Sequence, residues 1–360
     1  MGKTGKKTEQ DTADRSAKRE KQKKTGALAG LCKGVTEAVG LTVFTGACAG
    51  AGVLIGAANH FYSFSMKPKK HDPRLDQDPS EKEYAEGRRW MKNHPMRENV
   101  YIRADDGLQL HANYIPAEPA LENSAAAAAA EPEHRFAICV HGYANASDSM
   151  GLYARVYRDR YGMNVLLPDL RGHGRSDGDY VGMGYHDSRD ILRWIDWILE
   201  KDPAAQLVRH GISMGAATVL MTTGLTLPIA VKAAVSDSSF TSAMEIFTAV
   251  YNGLEEAKIP APVMLEAVRG IALVRAGYDL AKASPVEAVS HSKTPTLFIH
   301  GQADSLIPPE MMPALYKAAA CKKAFQWIPE ADHVQSVIVD PETYWARVER
   351  FLRAQEISLG

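Results

Sequence analysis

Gly211-Ile212-Ser213-Met214-Gly215 is the stretch whose reading decides the fold. It follows a segment that reads as a strand, Leu207–Gly211, and opens an Ala-rich stretch, Met214–Leu225, of helical composition. A serine between two glycines at a strand-to-helix turn is the G-x-S-x-G arrangement. A turn this tight projects the serine hydroxyl outward, and the flanking glycines allow close backbone approach. The helix starting at Met214 aims its unpaired N–H groups and the positive end of its dipole at the same spot. Ser213 is therefore the candidate nucleophile, and the Met214 N–H a candidate donor to an oxyanion forming beside it.

Outward from this turn, strands and helices alternate. Phe136–Val140 is a short continuous apolar run, as expected of a strand buried on both faces, and Val165–Leu167, Val231–Ser236, Pro295–His300 and Ala324–Ile328 read as further strands. Between them the spacing predicts helices over 149–161, 187–201, 309–319 and 341–355. A hairpin is expected around Asp105-Asp106-Gly107. The pattern implies an α/β fold with a mostly parallel sheet flanked by helices, whose reactive loops lie at the carboxyl ends of the strands.

The chemistry-bearing residues fall at those ends. His141-Gly142-Tyr143 ends an earlier strand, and the Tyr143 N–H is the expected second oxyanion donor, with the Tyr143 side chain on the substrate. His141 reads as a buried histidine bracing this loop. Serine needs a base to take its proton, and the base needs a carboxylate to fix its tautomer. Asp304, in His300–Pro308, and His333, after Asp332, supply these roles in the chain order Ser213, Asp304, His333. Asp237 is the rival acid, and Asp332 reads as a loop-forming residue. The Gly-rich run Asp169–Gly178 has no phosphate-binding spacing, so it reads as a turn beside the oxyanion loop braced by Asp169 and Arg171.

From about residue 98 to 356 the chain resembles the α/β-hydrolase superfamily, on His141-Gly142-Tyr143, Asp169–Gly178, Gly211–Gly215, His300–Pro308 and Asp332-His333. With Tyr180–Tyr185 it looks more narrowly like the bacterial serine-aminopeptidase-like hydrolases that carry one N-terminal membrane helix. The resemblance implies Ser213 as nucleophile, Asp304 as acid and His333 as base. Residues 241–294 are too long for a plain loop and carry helical apolar patterns, so a small helical cap over the site is expected.

The N-terminal part has a different character. Residues 1–37 hold ten Lys/Arg against five Asp/Glu and read as a disordered basic tail, while the whole chain nets −1. Residues 38–58 are 21 consecutive uncharged residues, enough to span a bilayer as a helix. A Gly/Ala-rich soluble helix or a cleaved signal would use similar residues, but the Lys-rich tail is long for a signal. The expectation is a single retained anchor at the cell membrane, with Phe61 and Tyr62 at the interface. A linker, 59–97, then leads to a catalytic domain, 98–360, on the extracytoplasmic side.

The near-neutral balance excludes a uniformly basic nucleic-acid binder. Four cysteines without short pairing make neither a disulfide framework nor a zinc site, so no metal or cofactor is expected. The expected activity is hydrolysis of a small acyl-ester substrate through an acyl-enzyme. A peptidase or amidase using the same triad, or a non-catalytic scaffold with this fold, is the alternative.

Overall fold

The computed structural model describes residues 48–68, 81–117, 134–254, 258–357 and 359. The basic tail, residues 38–47 of the predicted span and the alanine run Ala125–Ala130 lie outside the described residues.

Eight strands form one sheet: β1 (Glu98–Arg103), β2 (Gln109–Ile115), β3 (Arg135–Val140), β4 (Asn164–Pro168), β5 (Gln206–Ile212), β6 (Val231–Asp237), β7 (Thr296–Gly301) and β8 (Lys323–Ile328). Their order is β1-β2-β4-β3-β5-β6-β7-β8. β1 and β2 are the expected hairpin, and β2 lies antiparallel to β4. Every later pairing is parallel. Successive residues of β3 enter opposite cores, Phe136, Ile138 and Val140 on one face and Ala137 and Cys139 on the other. This is why its sequence is continuously apolar rather than alternating.

The described helices are α1 (Cys48–Met66), α2 (Glu81–Asn93), α3 (Gly151–Arg155), α4 (Asp187–Lys201), α5 (Met214–Thr223), α6 (Ala243–Asn252), α7 (Ala261–Arg275), α8 (Pro285–His291), α9 (Met311–Ala318), α10 (Ser336–Val339) and α11 (Pro341–Arg353). The helix expected over 149–161 is α3 extended by a 3-10 turn before it and a π turn, Val156–Arg160, after it. Helix starts follow local chemistry. Ser242 accepts the Glu245 N–H at 3.1 Å ahead of α6, and Asp340 accepts the Thr343 N–H at 3.0 Å ahead of α11. All ten residues of α5 are buried, which explains a helix apolar on every side.

Buried polar groups carry a cost that the core must exceed. Arg209 on β5 is fully buried, and none of its three guanidinium nitrogens has a hydrogen-bond partner among the described residues. Burial alone pulls its pKa down to about 9.

The region between the predicted span and the catalytic domain is more structured than a linker. α2 docks on α3 through a close glycine pair. A Cβ at Gly87 would lie 2.3 Å from Leu152 N, and one at Gly151 would lie 2.1 Å from Gly87 O. α1 begins inside the predicted span and runs eight residues beyond it, to Met66. Its Ala58, Phe61, Tyr62 and Met66 are buried in the same core as α6 and α7. Phe61 meets the rings of Phe247 and Tyr251 edge-on, and the Arg275 guanidinium lies over the Tyr62 ring. Aromatics expected at a membrane interface are therefore packed into the domain, because an amphipathic ring suits either setting. The earlier part of α1 faces outward. Ile55 is 61% exposed, and a Cβ at Gly52 or Gly56 would meet nothing within 4 Å. Among the described residues, no helix is long and apolar enough to cross a membrane.

The expected cap over 241–294 is helical, in α6, α7 and α8. Its parts differ in role: α6 and α7 share a core with α1, whereas Val289 of α8 joins Leu220 of α5 and Leu315 of α9.

Candidate active site

Ser213 sits between β5 and α5 with φ +54° and ψ −122°, a conformation that a non-glycine residue adopts only under constraint. The constraint comes from close packing on both sides. A Cβ at Gly211 would lie 2.3 Å from Gly215 O, and one at Gly215 would lie 2.2 Å from Val140 O. The Ser213 N–H donates to Asp237 O at 2.9 Å. The serine is 8% exposed.

His333 Nε2 lies 2.9 Å from Ser213 Oγ, and His333 Nδ1 lies 2.9 Å from Asp304 Oδ2. An ionised carboxylate only accepts, so Nδ1 carries the proton and Nε2 presents a lone pair to the serine. The three residues selected from sequence thus meet in one chain of contacts. Asp304 is fixed from its other oxygen, since Oδ1 accepts the N–H groups of Leu306 at 3.0 Å and Ile307 at 2.8 Å. Asp332 ties two loops together. Its Oδ1 accepts the N–H of Ser305 at 2.8 Å and of His333 at 2.7 Å, consistent with a loop-forming role.

Electrostatics separate the carboxylates. Burial raises the Asp304 pKa, but the charge and hydrogen bonds of His333 and His300 outweigh it and hold this carboxyl well below the usual range. Burial pushes the His333 imidazole down, yet Asp304, Asp237 and Asp332 together raise it above its ordinary value. Asp237, the rival acid, makes its hydrogen bonds elsewhere. Its Oδ2 accepts Tyr344 Oη at 3.0 Å, its Oδ1 accepts Ser238 Oγ at 3.1 Å, and burial raises it to about 6.

The loop after β3 lies directly against the serine, since a Cβ at Gly142 would be 3.2 Å from Ser213 Cβ. Met214 is the first residue of α5, whose leading N–H groups have no partner within the helix. Tyr143 follows Gly142, and its hydroxyl donates to Phe64 O of α1 at 3.0 Å. The helix that begins in the predicted anchor is thus joined to the loop after β3.

His141 braces this loop, as its sequence setting suggested. Nδ1 lies 2.7 Å from Gly142 O, and Nε2 accepts the Leu170 N–H at 3.0 Å. Burial and the neighbouring His173 lower its pKa to about 4, so it stays neutral. The Gly-rich run is braced as expected. Asp169 accepts the N–H groups of Ser147 and Arg175 at 2.7 and 2.9 Å and contacts His111 Nδ1 at 2.7 Å. Arg171 makes a two-pronged pair with Asp190 at 2.8 and 2.7 Å and reaches Asp106 at 2.7 Å. Sequence reasoning missed two features. One is His300, 3.1 Å from Asp304 Oδ2. The other is a buried chain from Tyr157 through His210 and Tyr344 to Asp237, with steps of 3.0, 2.9 and 3.0 Å. The second was hidden because its members come from separate elements; the first joins residues four apart, at the end of β7 and in the loop after it.

Comparison with known proteins agrees with this architecture. The family described as alpha/beta hydrolase fold matches residues 138–257, from β3 into the cap. An uncharacterized protein of Bacillus subtilis, YqkD, is 28% identical over 201 residues, covering 56% of this chain and 65% of its own length. A Pyrococcus furiosus esterase structure is 20% identical with a TM-score of 0.54, covering 73% of this chain and 93% of that one. A Pyrococcus horikoshii acylaminoacyl peptidase structure is 19% identical with a TM-score of 0.50, covering 74% of this chain and 43% of that one. Sheet order, the Ser213 turn and these likenesses agree: the chain is an α/β-hydrolase-fold protein.

Proposed function

We propose that the protein is a serine hydrolase that cleaves carboxylic esters through an acyl-enzyme, of the serine-aminopeptidase-like type. The observation that carries this reading is the unbroken contact chain from Ser213 Oγ through His333 to Asp304. Ser213 Oγ attacks the ester carbon as His333 Nε2 takes its proton, and Asp304 stabilises the imidazolium. The N–H groups of Met214 and Tyr143 hold the oxyanion. Collapse expels the alcohol, which leaves with the proton from His333. Water then gives a proton to His333 and attacks the acyl group; Ser213 recovers that proton and the acid departs.

A fluorophosphonate probe tests this. It is expected to label the wild-type protein on the Ser213 peptide and to leave Ser213→Ala unlabelled. An unlabelled, folded wild type overturns the reading in favour of a scaffold. p-Nitrophenyl esters are expected to be cleaved in preference to aminoacyl anilides, and the reverse order would assign a peptidase.

The uncharged stretch 38–58 behind a basic tail supports a retained single-pass anchor at the cell membrane, with the hydrolase body outside the cytoplasm. The exposed Ile55 of α1 suits a helix leaving the domain on that side. In membrane preparations the full chain is expected to resist alkaline carbonate extraction. Release into the soluble fraction at full length would remove the anchor.

A further inference from the structure

We propose that His300 is a positioning residue for Asp304: it donates from Nε2 to the same carboxylate oxygen that receives the His333 Nδ1–H. The inference rests on the triad reading above and extends it to a second imidazole.

His300 ends β7 and is completely buried. Its Nε2 lies 3.1 Å from Asp304 Oδ2 and 3.2 Å from Ile307 O. Both neighbours only accept, so Nε2 must carry the proton and divide it between them. Nδ1 is buried and has no partner among the described residues. A second proton there would create a buried donor with no acceptor, which is costly. The geometry therefore places an N–H on Nε2, facing Asp304 and Ile307.

Asp304 then has four donors on two oxygens. Leu306 and Ile307 N–H occupy Oδ1, and the two histidines share Oδ2. The sharing has two effects. It fixes the carboxyl rotation, and so the angle at which His333 meets Ser213. It also draws charge from Oδ2, which limits how strongly Asp304 can stabilise the His333 imidazolium. A base must be neutral to accept a proton, so a restrained His333 stays active to lower pH. The titratable and charged groups facing this pair are Asp304 itself, Asp237 at the end of β6 and Asp332 beside His333, with Tyr344 of α11 hydrogen-bonded to Asp237. The Trp327 ring packs beside His300 with centroids 6.0 Å apart, and contributes shape but no charge.

Histidine 15N spectra of the full chain test this without relying on activity. His300 is expected to show its proton on Nε2, while His333 titrates above its ordinary value. A His300 proton found on Nδ1 in place of Nε2 overturns the proposal. His300→Phe keeps a ring without a donor, and His300→Gln returns an N–H to the same place. In His300→Phe the His333 pKa read by NMR is expected to rise by about half a unit to one unit. The acid limb of kcat/KM should move with it, and kcat should fall about tenfold. His300→Gln should restore all three. A His300→Phe protein with unchanged His333 titration, or a Gln variant as impaired as Phe, reduces His300 to packing. Loss of the esterase reading alone would leave the NMR result standing, so the two failures are distinguishable.

Discussion

Asp304→Asn is expected to lower kcat on an ester probe by about 10⁴-fold with little change in KM, a loss of the size that follows when the base is left in the wrong tautomer. The reason lies in how the carboxyl is held. Oδ1 is anchored by the Leu306 and Ile307 N–H groups, and an asparagine oxygen is the only atom that can replace it there. The amide nitrogen must then face His333 Nδ1 and His300 Nε2, where two donors already point. His333 can avoid this clash only by moving its proton to Nε2, which turns an N–H toward Ser213 and removes the base. Asp237 stands outside the contact chain, with Tyr344 and Ser238 donating to its two oxygens, so it is not expected to take over. Steady-state kinetics of the variant decide the matter. A loss below about tenfold would move the acid role to Asp237, and a further Asp237→Asn substitution would then abolish the residual rate.

The choice between these two aspartates marks where sequence legibility ended. Each follows a buried strand, and each stands in an order compatible with Ser213 and His333. What separates them is the direction of a side chain after a turn, which spacing along a strand does not encode. The elbow itself was legible because its constraint is local: a strained φ at Ser213 needs small neighbours, and Gly211 and Gly215 supply them. Buried parallel strands were legible for a similar reason, as two-sided burial forces a continuous apolar run. Arg209 and His210 interrupt that run in β5 and are nonetheless fully buried, so the polar exceptions were not.

α1 was read differently from sequence for a physical reason. An uncharged Gly/Ala-rich helix flanked by aromatics is suited to lipid and to a protein core alike, because both exclude water. Only the partners discriminate, and for Phe61, Tyr62 and Phe64 these are Phe247, Arg275 and Tyr143, all inside the domain. The second half of α1 therefore packs into the same core as α6 and α7. Through the Tyr143 hydroxyl it reaches the loop proposed to hold the oxyanion.

That loop also carries the second large expected effect. Gly215→Ala should lower kcat/KM by at least about 10²-fold and destabilise the protein by about 1–3 kcal/mol. The new Cβ would lie 2.2 Å from Val140 O and 2.4 Å from His141 O. Those atoms belong to the end of β3, which is buried in the sheet and cannot retreat, so the strain falls on the α5 N-terminus and the His141–Tyr143 loop. Both proposed oxyanion donors, Met214 N–H and Tyr143 N–H, sit on the two surfaces being pushed apart. A misplacement of about 1 Å at such donors is enough for a loss of this size. Gly270→Ala is the control. It lies in α7, where a Cβ would meet nothing within 4 Å, and should gain up to about 1 kcal/mol from helix propensity alone. Thermal melts and kinetics on the two variants separate a specific close approach from a general intolerance of alanine. If Gly215→Ala kept wild-type activity, the close approach of α5 to β3 could not be what positions the two donors.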